Sequence, residues 1–168
     1  NAELVIRDNN RKITVRDPDL LLDSWLDEYN FNRNNIVRGT IATRAGEALL
    51  EDTSAVFNKM GIKSAATGLG AAWLYTGFAG FRTATFYIEE YPADKIREKL
   101  GFYEGARGAN VWLAVPKDEG VFIGTKKMNK VECVHPVRAY LDLKKGQPER
   151  ADEAAEQLRK KWLTWREK

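Results

Sequence analysis

The stretch SAATGLGAAWLYTGFAGFRTATFYIEE, residues 64–90, constrains the fold more than any other. Glycine and alanine crowd its first half; threonine, aromatic and β-branched residues fill its second. A helix over 68–76 places Leu69, Ala72, Trp73 and Thr76 on one face and Gly70, Ala71 and Leu74 on the opposite one. A helix small or apolar all round has to be buried, and small residues let a sheet approach it closely. The run 82–89 reads as a strand. The chain must therefore build a sheet with this helix pressed against it. TGLGAA also contains G-x-G, but the third glycine of a dinucleotide fingerprint is missing, and no acidic residue follows in the setting a ribose needs. GIKS at 61–64 lacks the order and upstream glycine of a phosphate loop. Close packing, with Thr67 as helix N-cap, is the stronger reading.

The rest of the chain supports a sheet flanked by helices. Residues 3–16 read as two short strands joined by Asp8-Asn9-Asn10-Arg11, where Asn and Asp tolerate left-handed geometry. Asp17 and Pro18 then start a helix with Leu21, Leu22, Trp25 and Leu26 on its apolar face. The polar run YNFNRNN (29–35) is the best linker. Strands are expected at 36–41, 62–66, 82–89, 109–115 and 130–134, with an extended piece at 121–124. Helices are expected at 44–60, 68–76, 92–100, 137–145 and 149–165, and Gly61 and Gly101 close two of them. This alternation argues for an α/β fold: a mixed sheet flanked by helices, with an N-terminal β-hairpin and two C-terminal helices. The division expected is 1–30, a hairpin and helix, and 36–168, an α/β domain.

A small-residue turn, a helix and a strand also open the nucleotidyltransferase fold. In those enzymes the strand carries two carboxylates at alternate positions to hold Mg²⁺. Here the alternating sets are Thr83, Thr85, Tyr87 and Ala84, Phe86, Ile88. Neither holds a carboxylate, and Glu89 and Glu90 are adjacent, so a strand points them to opposite faces. If the chain has that fold, its core is degenerate and has lost the chemistry. An enzyme with atypical ligands would have to use Glu89, Glu90 and Asp118. Cys133 and His135 invite a nucleophile–base reading, but Pro136 puts the histidine at a strand end, and no further ligands suit zinc. With one histidine in the chain, no Ser/His/Asp set can be built. The expectation is a protein that is not an enzyme, with no catalytic residue, cofactor or metal.

Two basic groups remain as contact surfaces. Arg7, Arg11, Lys12 and Arg16 cluster in the hairpin, where they can meet nucleic-acid phosphates. Arg159, Lys160, Lys161 and Arg166 end the C-terminal helix and suit a partner; Glu149, Asp152, Glu153 and Glu156 begin it, complementing the helix dipole. Its stripe of Ala151, Ala154, Ala155, Leu158, Trp162 and Trp165 packs on the sheet, and Trp73 and Trp162 are expected in the core. A net charge of +3 permits nucleic-acid contact without arguing for it. The single cysteine and the lack of an apolar run near ~20 residues point to the cytoplasm and away from a membrane.

Three stretches, DPDLLLDSWLDEY (17–29), SAATGLGAAWLYTGF (64–78) and HPVRAYLDLKKGQPERADEAAEQL (135–158), together resemble the AbiEi-type antitoxins of type IV toxin–antitoxin systems. The resemblance runs from about residue 11 onward. The family commonly has Ser-Pro and Gln where this chain has His135-Pro136 and Arg138. The resemblance implies a non-enzymatic antitoxin and transcriptional regulator that counteracts a nucleotidyltransferase-like toxin, direct contact not implied. It also implies operator DNA read through an upstream winged helix, of which this chain holds at most the wing. The alternatives are the nucleotidyltransferase-fold enzyme above and a free-standing RNA- or protein-binding module. Because the helix at 17–29 is acidic, the chain as given is expected to bind DNA weakly and without sequence preference.

Overall fold

The structure, a computed structural model, describes residues 4–146 and 151–165. Strands β1 (Val5–Arg7) and β2 (Ile13–Val15) form the N-terminal hairpin. Asp8 Oδ1 closes its turn by accepting from Asn10 N at 2.9 Å and Lys12 N at 2.8 Å. The left-handed residue of this turn is Arg11, with φ 62°, rather than an Asn or Asp. Helix α1 (Pro18–Glu28) starts as its sequence dictates: Asp17 Oδ1 accepts from Leu20 N at 2.9 Å and Pro18 holds the first turn.

The core elements follow in order: β3 (Asn35–Thr40), α2 (Glu47–Met60), β4 (Ser64–Thr67), α3 (Gly68–Thr76), β5 (Ala84–Ile88) and α4 (Ala93–Leu100). Then come β6 (Tyr103–Glu104), β7 (Val111–Val115), β8 (Lys126–Met128), β9 (Val131–Cys133), α5 (Pro136–Gly146) and α6 (Ala151–Trp162). Seven strands make one mixed sheet in the order β6-β3-β7-β5-β4-β9-β8. Pairs β5–β7 and β4–β9 are parallel and the other four are antiparallel. Adjacent residues of a strand face opposite sides, and β5 shows what covers each. Phe86 meets Phe57 of α2 edge-on at 5.8 Å, whereas the Tyr87 hydroxyl bonds Asp142 of α5 at 2.9 Å. Every residue of β5 is buried, as a strand covered on both faces must be.

The two glycines of TGLGAA have separate packing roles. Gly68 turns β4 into α3 at φ 63°, a left-handed conformation that costs side-chain-bearing residues free energy. Gly70 lies against α2: a Cβ there would sit 2.8 Å from Leu50 Cδ2. Gly68, Gly70, Ala71, Ala72, Leu74 and Tyr75 are buried, so this stretch is the interior helix its composition requires. Thr67 occupies the N-cap position, but its hydroxyl makes no bond to the helix and goes elsewhere.

Four other readings change. The run 29–35, expected as a linker, is folded into the core: a 3-10 turn over Phe31–Arg33 buries Phe31 completely. The extended piece at 121–124 is instead the end of a 3-10 turn, Glu119–Phe122, closed by Asp118 accepting from Gly120 N at 2.7 Å. Strands β6 and β8 carry no apolar alternation, exist through pairing with β3 and β9, and escape periodicity. On α6 the alanines and Leu158 are buried against α3 and α5 rather than on the sheet, Trp162 is 36% exposed, and Trp73 of α3 is half-buried. Trp162 lies over Tyr75, ring edge to face at 4.9 Å, with Nε1 donating to Tyr75 O at 2.9 Å. Glu149, expected in this helix, lies outside the described residues.

Candidate functional site

The most concentrated chemistry in the molecule surrounds Asp142, which is fully buried. On α5 the apolar positions Ala139, Leu141 and Leu143 fix the helix against its neighbours, and Asp142 is carried inward with them. Three hydroxyls from three elements meet its carboxylate. Thr67, at the end of β4, donates to Oδ2 at 2.5 Å; Tyr87, in the middle of β5, donates to Oδ1 at 2.9 Å. Tyr29, just past α1, makes a short bond to the same Oδ1. Arg138, one turn earlier on α5, donates to the Tyr29 hydroxyl at 3.4 Å. Its guanidinium also lies 5.5 Å from the Tyr29 ring and 5.8 Å from the Trp25 ring.

Burial dominates the electrostatics here. Desolvation pushes the Asp142 carboxyl up to about 6, although the hydroxyls of Thr67 and Tyr29, the Arg138 charge and the Tyr87 hydroxyl pull the other way. Burial first, and the Asp142 charge next, hold both Tyr29 and Tyr87 far above the ordinary phenol range. The hydroxyls therefore stay protonated donors. Beside this cluster Trp25, Tyr29, Arg33, Lys117, Asp118 and Arg138 line a cleft of about 380 Å³. No sequence motif marked the cluster. The available signal was an acidic residue between two leucines, in a helix whose other inward positions are apolar.

The residues singled out from sequence fall elsewhere. Arg7, Arg11, Lys12 and Arg16 are all exposed on or beside the hairpin, and none makes an ion pair among the described residues. Arg159 is engaged within the chain: it reaches Asp19 at 2.8 Å and Asp23 at 3.0 Å, both on α1, and donates to the Tyr140 hydroxyl at 3.1 Å. Trp165 Nε1 adds a bond to Asp19 at 3.1 Å. The acidic face of α1 thus serves as the seat for α6. Lys160 and Lys161 are exposed, and Arg166 lies outside the described residues.

The residues considered for catalysis have structural partners. Glu89 Oε1 accepts from Lys63 N at 2.9 Å, Asp118 caps its turn, and Glu90 is exposed. Among the described residues no group of three His, Cys, Asp or Glu side chains is placed to hold a metal ion. Cys133 is buried and its thiol is pushed up to about 12, first by desolvation and then by Glu132, which makes it a poor nucleophile. His135 Nδ1 accepts from Val137 N at 3.1 Å, capping α5, and burial and Lys126 lower its pKa. No described helix is long and apolar enough to cross a membrane.

A family model described as transcriptional regulator, AbiEi antitoxin, type IV TA system matches residues 13–164. No curated protein and no solved structure matches the chain.

Proposed function

The chain belongs to the AbiEi antitoxin family of type IV toxin–antitoxin systems, a family of transcriptional regulators, and on that premise we propose that it is a non-enzymatic cytoplasmic antitoxin domain counteracting a nucleotidyltransferase-like toxin. The observation that carries this reading is the use made of the carboxylates. Of the carboxylates considered for a metal, Glu89 and Asp118 each accept from a backbone amide, and the buried Asp142 accepts from the hydroxyls of Thr67, Tyr29 and Tyr87. Each builds the fold. The exposed cations of the hairpin, Arg7, Arg11, Lys12 and Arg16, supply phosphate contact without base readout, and an upstream winged helix reads the operator. Residues 1–30 are in this reading the edge of that unit.

The test is protection of cells expressing the co-encoded toxin. Glu89→Gln and Asp118→Asn keep the backbone caps but remove the charge a metal needs. Both variants are expected to protect as well as the parent chain. Lost protection with an unchanged thermal midpoint would restore the enzymatic reading. Titration against operator and scrambled duplexes is expected to give equal affinities for residues 1–168.

A further inference from the structure

The face of the sheet that bears Tyr87 is covered unevenly. Helices α3 and α5 lie over β5 and β4, whereas at the β7-β3-β6 side the same face carries Trp112, Arg38 and Tyr103. Register fixes this. Thr85 pairs with Trp112 and Trp112 with Arg38, while Thr40, two residues beyond Arg38, pairs with Tyr103. Cross-strand partners share a face, so these side chains stand together. Gly105, which donates to Arg38 O at 2.9 Å, brings no side chain beside Arg38, and Arg38 is half-buried. The Arg38 guanidinium carbon lies over the Trp112 ring, 4.5 Å from its centroid, and Tyr103 is 69% exposed.

Two loops meet at this end of the sheet. Loop 77–83, GFAGFRT, leads into β5, and loop 105–110, GARGAN, leads into β7. Ala84 N bonds Asn110 O at 2.9 Å, which binds the two loops side by side. Neither contains an acidic residue, and each contributes an exposed arginine, Arg82 and Arg107. None of Arg38, Arg82 and Arg107 has an ion pair among the described residues. The nearest acidic residue in sequence, Glu104, points to the opposite face and accepts from the Tyr91 hydroxyl at 2.5 Å.

We propose that this sheet end binds single-stranded RNA, with bases stacking on Tyr103 and the Arg38–Trp112 pair and phosphates meeting Arg82 and Arg107. The charge selects a polyanion. The exposed ring of Tyr103, beside the half-buried Arg38–Trp112 pair, selects one whose base faces are free, and a duplex offers none. Unpaired bases stacked on aromatic rings and guanidinium planes are the usual mode by which proteins hold RNA, which commits the surface to that strand. This surface is separate from the hairpin, and its occupation does not depend on how the toxin is counteracted.

Fluorescence anisotropy of the full chain with a labelled twelve-nucleotide RNA of mixed sequence, at ~0.15 M salt, tests it, with the same sequence as single-stranded DNA and as duplex DNA. Tyr103→Ala, at an exposed position, is expected to weaken RNA binding about five-fold or more. The double variant Arg82→Ala/Arg107→Ala is expected to weaken it further and to flatten its salt dependence. Both variants should keep the parent thermal midpoint. RNA affinity unchanged in the two variants, duplex binding as tight as RNA, or single-stranded DNA binding tighter than RNA would each overturn the assignment.

Discussion

At the scale of single residues, Asp142 decides the most. An ordinary aspartate titrates near ~3.9, whereas burial raises this one to about 6. Between those values the folded chain holds a proton that the unfolded chain has released. Stability contributed by this group is therefore full below about pH 4 and falls as pH rises through about 6. Asp142→Asn cannot ionise, so its urea midpoint should lack this decline; parallel pH profiles for variant and parent would show the residue does not titrate there. Asp142→Ala is a harsher change, because it strands the buried Thr67 hydroxyl and leaves those of Tyr29 and Tyr87 with only each other and Arg138. It should cost roughly 3 kcal/mol, read from denaturant unfolding at pH 7.

At the scale of elements, the junction of α1 with α6 is built on charge. Arg159 bridges Asp19 and Asp23 while its own side chain is about a quarter exposed, at 23%. Both carboxylates face water, so screening limits the bond, and Arg159→Ala should cost about 1 kcal/mol. The informative readout is local: hydrogen exchange should quicken in α1 while β5 is unaffected, and equal quickening in both would place Arg159 in the global core. This junction also shows what the sequence conveys. Elements with strong periodicity or punctuation, such as α1 with Asp17-Pro18 and α2 with Gly61, were legible from local rules. Tyr29, Phe31 and Arg159 were not. Their roles depend on residues on distant elements, and a polar run such as 29–35 looks like a linker until Tyr87 and Asp142 are brought beside it. Likewise the aromatic helix end at Trp162 looks like core, although its Nε1 needs only the carbonyl of Tyr75 and about a third of the residue stays in water.

At the scale of the whole molecule, stability is unevenly distributed. Val5, Ile6, Ile13 and Val15 are 40%, 37%, 57% and 38% exposed, so the hairpin leaves a large part of its apolar surface in water and none of these four enters the core. A two-stranded hairpin is marginal by itself. Its amides should exchange within the shortest labelling times, long before those of β5; matched protection would mean the hairpin belongs to the cooperative core. The long-range pairings have a further consequence, for how the chain comes off the ribosome. Strand β3 finds its neighbour β7 only after some seventy further residues have been made. Tyr29 waits for Asp142, 113 positions later, and Asp19 for Arg159, 140 positions later. Synthesis proceeds from the N-terminus, so a nascent chain halted before α5 holds all the strands of its sheet but leaves Tyr29 and α1 without Asp142 and Arg159. Such a chain offers the sheet face that α5 will cover to chaperones and proteases, and that exposure ends only when α5 and α6 have emerged and packed.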